Sequence, residues 1–204
     1  MPTGVVLRDA RQQLFAAAER VLLRDGVGGL TSRAVTAEAG VAKGVLHRHF
    51  EDFDAFLAEL VTDRVQHLET WSTALLQSAG ERTVADNLTA ALTNLFGPVE
   101  IAVAGLVISR DALRARLRAA GLAGMPILTQ AASAITDYLR AEQDRGRLAA
   151  GADVTGLAPA LVGAGSLLFS GQESGPPDDA QVHRMVTATI AGSLVSRPAR
   201  SRRR

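Results

Sequence analysis

The chain of 204 residues contains a single lysine, Lys43, in the string Ala42-Lys43-Gly44-Val45-Leu46-His47-Arg48-His49-Phe50. Lysine and arginine carry charged donors that pair with phosphate, and arginine also matches the two acceptors on a guanine edge. Leu46 and Phe50 are four residues apart, so on a helix they share one face and can anchor it. Lys43, Gly44, His47 and Arg48 are left outward. Gly44 has no side chain to hold a partner's backbone away. A short helix with apolar anchors on one side and donors on the other suits the major groove of duplex DNA.

Such a helix needs a scaffold. Thr31 or Ser32 can accept from free amides and cap a preceding helix. Val35 and Ala39 give that helix a small apolar face. Gly40 stops it, because glycine tolerates the left-handed backbone of a sharp reversal. Val41 can plug the gap before the second helix, predicted over 42–49. Upstream, Leu14, Ala17, Ala18, Val21 and Leu22 repeat at helical spacing. They predict a helix over 8–25, closed by Gly26. Leu30 then joins Leu14, Val21, Val35, Leu46 and Phe50 in one small core. Three short helices around so little apolar mass are marginal alone and should lean on the helix that follows.

With these residues in view, positions 7–61 resemble the N-terminal domain of the tetracycline-repressor (TetR) family of bacterial transcription regulators. The specific stretch is Ala39 to Phe50, AGVAKGVLHRHF here, against a family pattern close to AGVSKGTLYHHF. Ala42 stands for a usual Ser, Val45 for Thr or Ser, and His47 for Tyr. Phe53 stands where the family often has a phosphate-binding Lys. The resemblance implies that Lys43 and Gly44 meet phosphate and base edge, that His47 takes the Tyr position, and that His49 contacts phosphate. It implies that Arg33 reaches DNA from the preceding helix. Thr31, Ser32, Ala42, Val45 and Arg48 complete the expected DNA-binding surface, with Arg48 long enough to read guanine. The fold implied is all-α: a three-helix domain over 1–52 (motif 31–50), then a helical ligand-binding and dimerisation domain over 53–196, about nine to ten helices in all. The implied partners are double-stranded DNA with a palindromic operator, an unknown small-molecule effector and a second copy of the chain.

Helical spacing continues to the C-terminal end. Helices are predicted over 53–78, 84–96, 99–109, 111–120, 126–145, 153–170 and 180–195, with Gly and Pro as breaks. His67, Trp71, Leu75, Phe96, Val103, Met125, Gln130 and Tyr138 are candidates for the wall of an effector pocket. Leu157, Leu161, Ala164 and Leu168 on one helix, with Val182, Met185, Val186, Thr189 and Ile190 on the last, are candidates for a dimer interface. Arg110, Arg114 and Arg118 recur every four residues as a basic stripe. Residues 197–204, RPARSRRR, read as a disordered tail.

Composition bounds the remaining options. There is no cysteine, which fits a reducing cytoplasm and excludes thiolate chemistry. No apolar run approaches the ~20 residues of a membrane span, so no membrane partner is expected. Net charge is +1, but residues 1–60 hold 7 Lys+Arg against 8 Asp+Glu, so the DNA-reading region is basic only locally. His47 and His49 are about 200° apart on a helix and cannot share a metal; no metal site or cofactor is expected. Ser166, after Gly165, only loosely resembles a nucleophile motif and lies in a helical pattern. No catalytic residue is proposed. The sequence reads as a DNA-binding regulator, a dimeric repressor released by a small molecule. An activator or ligand-independent regulator is the first alternative, and a helical enzyme or interaction protein containing this motif the second.

Overall fold

The computed structural model describes residues 3–170 and 175–195. The described residues form ten α-helices: α1 Thr3–Gly29, α2 Ser32–Glu38, α3 Gly44–His49, α4 Phe53–Gln77, α5 Val84–Leu95, α6 Pro98–Ser109, α7 Asp111–Ala119, α8 Pro126–Asp144, α9 Val154–Ser170 and α10 Asp179–Ile190. Among them no single helix is long and apolar enough to cross a membrane. Residues 197–204, expected as a tail, lie outside the described residues.

Glycine and proline place the breaks where the sequence predicts them. Gly26 has φ 67° and interrupts α1, after which one more turn runs to Gly29. Pro98 and Pro126 open α6 and α8, where a missing N–H costs no helical bond. The last helix is shorter than expected. It ends at Ile190, tightens into a 3₁₀ turn over Ala191–Ser193, and then runs extended. The reason is pairing elsewhere: Ala149 N donates to Ser193 O at 2.8 Å and Val195 N to Arg147 O at 3.2 Å.

The chain divides into two compact units, Met1–Glu69 with Phe96–Thr129, and Thr70–Leu95 with Gln130–Arg204. This differs from the boundary expected after residue 52. The first unit takes in the start of α4 and all of α6 and α7, because Phe50 meets Phe56 of α4, α1 packs on α6, and α6 carries α7. Leu14, Val21, Leu30, Val35, Leu46 and Phe50 are buried as expected. Aromatic rings extend that core: Phe50 lies 5.9 Å from Phe15 and 5.0 Å from Phe56 between centroids. On the polar side, Arg64 of α4 donates to Glu19 of α1 at 2.6 Å and lies 3.7 Å from Glu100 of α6.

In the second unit, α10 packs on α5 and α9. Leu161, Val182, Val186 and Ile190, expected at a dimer interface, are wholly buried here. They pack against the chain's own helices. Leu157, Ala164, Leu168, Met185 and Thr189 are half-buried. The outward face of α9 is instead Gly156, Ala160, Gly163 and Leu167.

A buried polar network closes the same unit. Asn87 Nδ2 donates to Ser78 O at 2.9 Å and to the Tyr138 hydroxyl at 3.1 Å, and that hydroxyl donates to Glu142 Oε1 at 2.7 Å. Burial, then the Glu142 carboxylate, push the Tyr138 hydroxyl to a higher pKa, so it stays a donor. Glu142 is fully buried, and Arg147 Nη1 lies 3.2 Å from its Oε2. Arg147→Ala would strand that carboxylate, at a cost of roughly 3 kcal/mol, the low end for a broken buried pair because Arg147 is partly solvated. The expected outcome is a lower urea midpoint with an unchanged slope; an unmoved midpoint would show that Glu142 does not depend on Arg147.

Candidate nucleic-acid interface

The helix-turn-helix forms as its caps dictate. Thr31 Oγ1 accepts from Ala34 N at 3.1 Å and starts α2. At the other end Gly40 has φ 67°. Val41 N donates to Thr36 O at 3.0 Å and Gly40 N to Ala37 O at 3.1 Å, the paired closure of a Schellman turn. This reversal requires glycine, because its left-handed backbone would strain a side-chain-bearing residue. The chain then makes one tight turn, with Val45 N on Ala42 O at 2.9 Å, before α3 begins at Gly44. The helix expected over 42–49 is therefore shorter at its start, and Lys43 occupies its N-cap.

Leu46 is fully buried and holds α3 against the core, with Phe50 directly after it. The opposite side is open. Ala42, Lys43, Gly44, His47 and Arg48 are exposed, as are Thr31 and Arg33 from α2. Val45 and His49 are half-buried, with the His49 ring 6.4 Å from Phe50 and edge-on to it. Ser32 is half-buried and its hydroxyl is shielded without a hydrogen-bond partner. Seven of the ten residues expected to face DNA thus lie open on one small element pair. Among the described residues, nothing beyond its chain neighbours and its own helix backbone lies within 4 Å of where a Gly44 Cβ would stand. Internal packing therefore does not demand glycine there.

Sequence reading missed the polar ties that orient this motif. Gln13 Nε2 of α1 donates to Ala39 O at 2.9 Å, gripping the turn itself. Arg20 Nε and Arg24 Nη1, one turn apart on α1, hold the two oxygens of Glu38 on α2, each at 2.7 Å. Arg11 places its guanidinium 4.7 Å over the Phe50 ring and pairs with Glu59. The available signal was the spacing of Arg20 and Arg24, which puts both on one face; their partner lay in another helix.

The residues proposed for an effector pocket are distributed as follows. In the first unit, Val103 and Met125 line a narrow apolar cleft with Val61, Val107 and Ile127. Phe96 is buried and His67 is exposed. In the second unit, Trp71 and Leu75 line a cleft of about 300 Å³ with Asn87 and Asn94, and Trp71 Nε1 donates to Ala91 O at 2.9 Å. Tyr138 is sealed in the polar network, and Gln130 is exposed. The second unit also holds an open polar cleft of about 660 Å³ between α5 and α10, beside Asp86, Thr93, His183 and Arg184, which the sequence did not suggest.

Comparison with known proteins agrees with this geometry. Residues 14–60 match the family model described as bacterial regulatory proteins, tetR family. A stretch of 75 residues is 33% identical to the HTH-type transcriptional regulator PksA of Bacillus subtilis (strain 168), covering 33% of this chain and 37% of that protein. The match therefore spans little more than a third of the relative's length. Among solved structures, reduced E. coli NemR superposes with a TM-score of 0.69 at 16% identity, over 93% of this chain and 99% of that one. SmeT, the repressor of the Stenotrophomonas maltophilia multidrug efflux pump SmeDEF, superposes with a TM-score of 0.62 at 21% identity, over 91% of each chain. SmeT is also solved as a complex with triclosan. The chain shares the all-α fold of these structures. Residues 14–60, which hold the helix-turn-helix, are the part of the chain that resembles the tetR family of bacterial regulatory proteins.

Hydrogen bonds from Arg20, then Arg24, hold the Glu38 carboxyl below its ordinary value of 4.5. A depressed folded pKa gives stability that is present above the unfolded value and is lost as pH falls through the folded one. Wild type should therefore exceed Glu38→Gln in urea midpoint at pH 7, and the two should converge in acid below the ordinary value of 4.5. A gap that persists undiminished at pH 3 would refute the clamp.

Proposed function

We propose that this protein is a DNA-binding transcriptional regulator that binds a palindromic duplex as a homodimer and acts as a repressor released by a small molecule. The observation that carries the reading is the open face of α3. Lys43, Gly44, His47 and Arg48 are exposed while Leu46 and Phe50 are buried. The unfilled space beyond Gly44 supports close approach by a partner outside the chain. Selection of binding sites from random duplex DNA tests the proposal. It should enrich an inverted repeat whose half-sites lie about 34–36 Å apart, or a multiple of that. Enrichment of no sequence would overturn it. Reporter output with and without the gene separates repression from activation.

The family's regulators are not enzymes, and we read this chain the same way. Ser166 sits inside α9 rather than on a strand-to-helix turn. The triclosan complex of SmeT supports a small, largely apolar effector, and the Trp71–Leu75 cleft is where we place its first contacts. A cytoplasmic location follows from the proposed role on DNA.

The α3 residues should separate by role. Lys43→Ala should weaken binding to every duplex and reduce the salt slope by about one. Arg48→Ala should relax preference at one symmetric pair of positions, by about 1–3 kcal/mol each. Gly44→Ala should leave the fold intact, or stabilise it by up to ~1 kcal/mol as alanine replaces glycine in a helix, yet weaken DNA binding. Equal, sequence-independent losses in all three would remove the assignment of Arg48 to base readout.

The dimer surface is predicted to include Leu167, which is 75% exposed on α9 among Ala160, Gly163 and Gly156. Leu167→Glu should give a folded monomer with reduced operator affinity. Leu161→Glu should fail to fold, because that side chain is wholly buried. Sedimentation decides: a wild-type monomer at concentrations that saturate DNA would sink the dimer.

A further inference from the structure

The corner that follows α3 poses an electrostatic problem. Glu51, Asp52 and Asp54 come within four residues of each other, directly after the helix that meets DNA. Left unpaired, three carboxylates there would repel the phosphates that Lys43 is placed to attract. The cations that answer them come from far along the chain. Arg116 of α7 pairs through Nη2 with Asp52 and lies 3.4 Å from Glu51 Oε2 through Nη1. Arg110, just ahead of α7, lies 3.1 Å from Asp54 Oδ1, with its guanidinium 5.5 Å over the Phe53 ring.

The placement is set from beneath. Leu113 and Leu117 bury one side of α7. Arg114 donates to Val107 O at 3.0 Å and to Ile108 O, tying α7 to the end of α6. Asp52 uses both oxygens, since Oδ1 also accepts from Ala55 N at 2.7 Å and caps α4. The basic stripe of the sequence is therefore divided: Arg110 and Arg114 are spent on fixed partners, Arg118 is exposed, and Arg116, off the stripe, holds the corner.

Exposure decides what this contact is for. The side chains of Arg116, Asp52 and Glu51 are 37%, 47% and 80% exposed. Pairs this solvated add little to folding stability. Their effect on an approaching polyanion is of another kind, because it changes the net charge met by phosphate. We propose that Arg116 is a positioning and charge-neutralising residue for DNA recognition, acting from α7 through Glu51 and Asp52 and making no DNA contact of its own. The proposal rests on the DNA-binding reading above.

The test is duplex binding by the full-length protein across a salt series, using a random-sequence duplex and the selected site. Wild-type binding is measured first; if wild type binds neither duplex, the DNA-binding reading itself fails. With wild type binding, Arg116→Ala should weaken affinity for both duplexes by about tenfold at low salt, the screened repulsion of two freed carboxylates. Its melting temperature should stay close to wild type. Arg116→Lys should keep most of the affinity. Adding Glu51→Gln to Arg116→Ala should recover a large part of the loss. Wild-type affinity in Arg116→Ala would overturn the inference. So would a loss that Glu51→Gln does not recover, with the salt slope lower by about one, because that marks a direct phosphate contact.

Discussion

Burial of Phe50 between Phe15 and Phe56 is the contact on which the helix-turn-helix depends. α3 has only 6 residues, far below the length at which a helix holds itself together in water. Its conformation and its direction must come from outside. Leu46 and Phe50 supply both, the first as a plug within the helix and the second as the residue that leaves it. Phe50 meets rings from α1 and α4 at once, so one side chain ties the recognition helix to the elements on either side. The outward face of α3 points at the angle this aromatic cluster allows.

Charge then refines what the apolar contacts place. Arginines act in groups, each joining two helices. Arg20 and Arg24 join α1 to α2, Arg64 joins α4 to α1 and α6, and Arg110 and Arg116 join α7 to the start of α4. Lys43, by contrast, has no place in these clamps and stands exposed on α3. The division matches the chemistry. A planar guanidinium can satisfy two acceptors in fixed geometry, whereas an ammonium on a flexible stem serves as a mobile point charge. The near-neutral balance of residues 1–60 is therefore no argument against a DNA surface, since Glu19, Asp25, Glu38, Glu51, Asp52, Asp54 and Glu59 are all paired with arginines, four of them with Arg64, Arg110 and Arg116 from beyond that stretch.

The second unit is built on different terms. Its buried polar network centres on Tyr138 and Glu142, where Glu142 Oε1 accepts from the Tyr138 hydroxyl and from Gly80 N and Oε2 faces Arg147 as an ion pair. That network pins the end of α8 to the turn before α5 through Gly80 N, which donates to Glu142 Oε1 at 3.2 Å. Tyr138 itself is wholly buried, with its hydroxyl donating to Glu142 and accepting from Asn87, which is why it makes a poor pocket wall despite its type. Trp71 differs: its indole N–H is used, but its ring borders an open cleft.

The sequence by itself determined the local features of this protein. Helical spacing, the Thr31 cap, the Gly26 and Gly40 stops and the family motif were legible because each depends on residues within a turn or two of one another. From these the all-α class, most helix limits and the outward set Lys43, Gly44, His47 and Arg48 could be read directly. What only the tertiary structure decided is which distant surfaces meet. Leu161, Val182, Val186 and Ile190 were recognisable as buried, but periodicity names a buried face without naming what buries it, and it is the chain's own core that does. Arg116 meets Asp52 across 64 residues of sequence. Such pairing follows from where α6 and α7 fold back on the start of α4, and no spacing rule within a single helix contains that information.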